Sequence, residues 1–158
     1  MHGLEAGLFG LARLFLLPAL ALILLSLGVA LVALGSFLAE AFQRRIGRYI
    51  SALAAHQART GAASDDLELW VMKRLEPLRI VSRSAPMLGL VATMIPMGPA
   101  LLALGSGDAS AVGENLVVAF SGVILALIAA SVAHAVLTVR RRWLLEELRM
   151  VERRQEAV

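Results

Sequence analysis

Residues 85–139 read APMLGLVATMIPMGPALLALGSGDASAVGENLVVAFSGVILALIAASVAHAVLTV, two apolar runs hinged on Gly105-Ser106-Gly107-Asp108. Neither residues 85–104 nor residues 116–139 contain an Asp, Glu, Lys or Arg. About 20 such residues suffice for a helix to cross a hydrocarbon core. A short Gly-rich turn carrying only acidic charge makes the pair a helical hairpin. A third run, residues 14–38, is equally free of charge and long enough to tilt in a bilayer or project beyond it. It is far longer than the apolar core of a signal peptide, roughly 7–15 residues, so it reads as a retained anchor. Glu5 and Arg13 precede it.

The whole composition agrees. Hydrophobic residues make up 59% of the 158, the mean hydropathy is +0.78, and soluble domains average about 45–50% apolar. The expectation is an all-α polytopic membrane protein with three transmembrane helices, helices 1 and 3 extended into the cytoplasm.

Arginine placement orients it. Residues 39–84 hold eight basic side chains (Arg44, Arg45, Arg48, Arg59, Lys73, Arg74, Arg79 and Arg83), and residues 140–158 hold six more. The hairpin turn has none, and Arg13 is alone before the first run. Positive charge collects on the cytoplasmic side. The expected order is a periplasmic N-terminus (1–13), a first span (14–38) and a cytoplasmic helical segment (39–84). A second span (85–104), a periplasmic turn (105–115), a third span (116–139) and a cytoplasmic tail (140–158) follow. A bacterial inner membrane is the expected location.

Several function classes recede. The net charge of +3 and pI near 10.5 do not argue for nucleic acid, because aromatics are scarce and the basic residues flank apolar runs. Without Cys there are no disulfides or thiolate metal sites. His2, His56 and His134 are too dispersed for a metal site. No metal and no cofactor is expected, and lipid is the surrounding partner.

The polar segments read as helical extensions. Residues 39–56 should continue the first span as one charged helix, and Thr60-Gly61-Ala62-Ala63-Ser64 should break it, with Ser64 or Asp65 capping the next. In the tail, Glu146, Glu147 and Glu152 alternate with arginines at helical intervals. Most of these charges read as solvated faces.

The second and third spans carry more than bulk. Ala85, Gly89, Ala92, Pro96, Ala100 and Ala103 form a narrow small-residue face, and Ala119, Gly122, Ala126, Ala129 and Ala133 form another. Such faces let helix backbones approach closely. Thr93 sits at mid-span, and Pro96 and Pro99 free the carbonyls of Ala92 and Ile95 at membrane depth. Freed carbonyls are tolerated beside protein or water, although a plain kink is the other reading. Ser121 lies toward the outer half of the third span, Ser131 and His134 toward the inner half. A buried Ser ordinarily bonds back to its own helix, and an ionisable His near a helix end is readily wetted. Ser131 and His134 are three apart, but no nucleophile turn accompanies them, so a hydrolase is not expected. The spans contain no carboxylate, and a proton carrier would have to come from another subunit.

The stretch Ser84-Ala85-Pro86-Met87-Leu88-Gly89-Leu90-Val91-Ala92-Thr93 resembles the A-P-x-L-G-L-x-G-T signature that opens the second helix of MotA/TolQ/ExbB proton-channel proteins. Span order, topology and hairpin are also similar to ExbB and TolQ. The resemblance implies that Thr93 is the pore threonine of the second helix and that Ser121 stands where the third helix has another. From the residues themselves, Pro86, Gly89, Ala92, Pro96, Pro99, Gly122 and Ala126 take packing and kink roles, and Ser131 and His134 are accessory polar candidates. Ala92 replaces the family's usual Gly, and the third-helix proline of ExbB and TolQ is missing. The implied assembly is a homopentamer around an ExbD/TolR-like single-span subunit whose transmembrane Asp carries protons, coupling proton-motive force to transport or envelope work. A non-conducting scaffold that merely packs helices is the alternative.

Overall fold

The computed structural model describes residues 7, 10–47, 51–60 and 64–156. They form α1 (Leu16–Arg45), α2 (Ala52–Thr60), α3 (Ser64–Gly105) and α4 (Ala109–Glu156), and no strand occurs among the described residues. Three helical stretches, Gly10–Arg45, Asp65–Gly105 and Ala109–Arg153, are long and apolar enough to cross a membrane.

The two longest helices overrun any bilayer. α3 has 42 residues and α4 has 48, about 63 and 72 Å at 1.5 Å per residue, against a hydrocarbon core of about 30 Å. The turn between them is short, so the polar N-terminal half of α3 and the polar C-terminal half of α4 project from the same end of the bundle. Helical extension therefore belongs to the second span as well as to the first and third. α3 carries Pro77, Pro86, Pro96 and Pro99 within one helix.

The hairpin turn is tighter than residues 105–115. The amide of Asp108 donates to the carbonyl of Ala103 (3.0 Å) and that of Gly107 to Leu104 (3.2 Å), which closes the end of α3 as a Schellman motif. Gly107 has φ +75°, a conformation that costs glycine nothing and other residues a Cβ clash. Asp108 then caps α4 by accepting from the amide of Ala111 at 3.0 Å. Residues 109–115 thus belong to the helix, and Asn115 bonds back to Ala111 at 2.8 Å.

A single helix over residues 39–56 does not form. α1 stops at Arg45, and Gly47 turns the chain with φ +73°. Ser51 starts α2, its hydroxyl accepting from the amide of Ala54 at 3.1 Å. Of the break expected over residues 60–64, residues 61–63 lie outside the described residues, as do Arg48 and the side chain of Ser64. Glycine is the cheapest place for a chain to leave a helix.

α3 and α4 pack antiparallel through their small-residue faces, and α1 lies against both. Ala85, Ala92, Ala126, Ala129 and Ala133 are fully buried. Ala30 of α1 joins Ala85 and Ala129 in one cluster, and Ile23 joins Ala92 and Ala126 in another. At the polar end a separate core forms from Leu53 of α2, Leu67, Val71 and Leu75 of α3, and Leu144, Leu148 and Val151 of α4. The backbones approach so closely that a Cβ on Gly89 would stand 2.9 Å from the Cβ of Ala126.

Candidate functional site

Thr93 is half-buried on α3 and donates its hydroxyl hydrogen to the carbonyl of Leu90 at 2.7 Å. Its own helix therefore satisfies the donor, and the oxygen lone pairs remain available to an outside donor. Pro86 and the buried Pro96 lie on either side of it along the same helix.

Helix geometry decides which of the expected hydroxyls can share a wall. Ala92 and Gly122 meet across the α3–α4 seam, a Cβ on Gly122 falling 3.0 Å from that of Ala92. Thr93 follows Ala92, whereas Ser121 precedes Gly122. Successive helical residues turn by about 100°, and the two helices run antiparallel, so Thr93 and Ser121 turn to opposite flanks of the seam. Ser121 is exposed on the flank that α1 occupies. There Leu88 and Leu125, each one residue before a seam position, pack with Leu20 of α1 against the cluster of Ile23, Ala92 and Ala126. Thr93 faces the open flank.

His134 follows the buried Ala133 and so shares the flank of Thr93 near the polar end. Its carbonyl accepts from the hydroxyl of Thr138 at 2.9 Å. Ser131 is exposed, and no hydrogen bond joins it to His134 among the described residues. Gly89, Ala92, Gly122 and Ala126 are all buried in the seam, where their small size is used for packing within the chain. No grouping of His, Asp and Glu suited to a metal occurs among the described residues.

A polar knot that the sequence alone did not reveal joins α1, the start of α2 and α4. Glu147 is only 4% exposed. It accepts from Arg44 of α1 and from the hydroxyl of Ser51 at 2.7 Å. Arg44 also reaches Glu40 at 3.1 Å and lies over the ring of Trp143, 4.5 Å from its centroid. That ring stacks in turn on Phe37. Arg140 pairs with Glu40 at 3.2 Å and donates to Ser36 at 3.1 Å. Glu147 thus departs from the solvated role expected of the tail, while Glu146 keeps it, an exposed 3.8 Å partner of Arg142. The signal was present in the spacing, since Glu147 stands three residues after Leu144 and four before Val151 on the face that α4 buries. Comparison with family models, with curated proteins and with solved structures yields no match.

Proposed function

We propose that this chain is the channel-forming subunit of a MotA/TolQ/ExbB-like motor in a bacterial inner membrane, with its N-terminus periplasmic and its polar helical extensions cytoplasmic. It assembles as a pentamer around an ExbD/TolR-like single-span partner, and the partner's transmembrane aspartate carries the protons. Thr93 is the hydroxyl that faces this carboxyl group. An unpaired carboxylate is costly in a low dielectric, and a hydroxyl with free lone pairs accepts from its protonated form. The observation that carries the reading is the position of Thr93. It ends the Pro86–Thr93 motif at mid-span and, half-buried, turns to the flank of the seam away from α1, in spans without a carboxylate of their own. Ser121 meets that wall only if another copy contributes it.

Reconstitution in liposomes with the partner subunit tests this. Proton flux is expected with both subunits, to fall at least about tenfold in Thr93→Val, the loss of one transition-state hydrogen bond, and to change little in Ser121→Ala. Wild-type flux in Thr93→Val removes Thr93 from the pathway. A second reading, a non-conducting scaffold, draws support from the small-residue faces, which are used up inside the chain. Stable assembly without any carboxylate-bearing partner, and indifference to collapse of the proton gradient, would favour it.

A further inference from the structure

Between the polar halves of α3 and α4 lies a groove of about 680 Å³. Arg79 and Arg83 of α3 and Arg141 and Arg142 of α4 line it, and Ser82 and Thr138 add hydroxyls. Leu75, Leu137 and Leu145 contribute its apolar lining. Arg83 stands two residues before the charge-free run of α3 and Arg141 two residues after that of α4. The four arginines therefore line one groove beside the edge of the apolar runs. Counter-charge is thin. Glu146 reaches only the outermost, Arg142, at 3.8 Å with both side chains largely exposed, and Glu76 lies in an adjoining depression beside Arg79 and Arg83. No ion pair engages Arg79, Arg83 or Arg141 among the described residues.

We infer that this groove holds the headgroup phosphate of an anionic phospholipid of the phosphatidylglycerol or cardiolipin class. Guanidinium forks suit phosphate oxygens better than any other common anion except carboxylate, and basic pockets between membrane helices at the interface select anionic headgroups. A lipid fits better than a soluble anion because the groove runs on into an apolar flank. Leu90 of α3 and Leu127 of α4, 60% and 50% exposed, lie along that flank in the charge-free runs, where acyl chains would rest. The hydroxyls of Ser82 and Thr138 donate to the carbonyls of Arg79 and His134 on their own helices, so the donors to phosphate are the guanidinium groups. The groove lies on the flank that Thr93 and His134 share, and His134 lines it, but holding a headgroup requires neither the Thr93 hydroxyl nor a partner subunit, so lipid retention and proton flux fail separately.

The full chain in phosphatidylcholine nanodiscs doped with phosphatidylglycerol supplies the test, read by lipid retained after purification and by native mass spectrometry. The wild type is expected to retain phosphatidylglycerol preferentially, and Arg79→Gln with Arg141→Gln to lower retention about tenfold or more. Arg45→Gln with Arg59→Gln removes the same charge from exposed positions outside the groove and should leave retention within about twofold. Equal loss in the two double variants overturns the site in favour of diffuse attraction. Equal retention of phosphatidylcholine and phosphatidylglycerol by the wild type overturns it without any variant having to fold. Displacement of the lipid by inorganic phosphate at ordinary ionic strength also overturns it, because the occupant would then be a free anion.

Discussion

Thr93 and Glu147 are both polar residues held by their own chain, but the physics of holding them differs. Thr93 has one hydrogen bond, to Leu90 on its own helix, and even side-chain hydrogen bonds between membrane helices average only about 0.6 kcal/mol. Thr93→Val keeps the branched shape, so the folded protein should lose no more than about 1 kcal/mol in a detergent unfolding titration. Any large functional loss in that variant then reports on the pathway. Glu147 is a buried carboxylate whose charge is met by Arg44 and by Ser51. Arg44→Leu strands it, and breaking one side of a buried pair costs about 3–5 kcal/mol. Arg44 keeps a quarter of its side chain exposed, which argues for the lower end of that range. Adding Glu147→Leu to Arg44→Leu should recover most of the loss, as measured by thermal unfolding. Failure of the second change to help would show that Arg44 acts chiefly through its seat on Trp143. Thr93 stands out in the sequence because a motif and a mid-span position both point to it. The burial of Glu147 was signalled by its spacing, but its partner was not, because Arg44 is 103 residues away and local spacing offered nearer arginines.

The helices were legible to the extent that their causes are local. Apolar length and the missing charges set α1, α3 and α4, and the Gly105–Asp108 stretch set the hairpin. The break after Arg45 depends on Gly47 adopting φ +73°, a conformational choice that a glycine in the sequence permits but does not dictate. Substituting Gly107, with φ +75°, by Ala should destabilise the hairpin by about 1 kcal/mol, visible as a lower unfolding midpoint. Gly89 tests the seam itself. Its Cβ position is 2.9 Å from the Cβ of Ala126, and a methyl group cannot bend aside, so Gly89→Ala should cost about 1–3 kcal/mol through overpacking. Adding Ala126→Gly reopens the space. The double variant is therefore expected to unfold closer to the wild type than Gly89→Ala alone, and additive losses would mean that the two residues do not meet.

At the scale of the molecule, apolar surface remains unspent. Only 22% to 33% of the most apolar stretch of each candidate span is buried within the chain. Leu101, Leu102 and Val117 stay more than 60% exposed near the hairpin. In water such a surface would drive aggregation, so lipid or further subunits must cover it. Under the proposed function, detergent-purified protein should run as a multimer by light scattering, with a larger particle still when the single-span partner is coexpressed. A monomer in both cases would exclude a shared pore.

Sequence alone determined that three apolar helices form and that two of them make a hairpin, because span length, charge exclusion and turn chemistry act over neighbouring residues. It also determined that small-residue faces pack, since only Ala and Gly permit that approach. Tertiary structure decided which flank each hydroxyl takes. Thr93 and Ser121 have the same chemistry, but one follows and the other precedes a seam position, and antiparallel pairing sends them to opposite sides. Tertiary structure also brought Arg44 to Glu147 and gathered four arginines from two helices around one groove, since electrostatic partners are chosen by distance in space rather than along the chain.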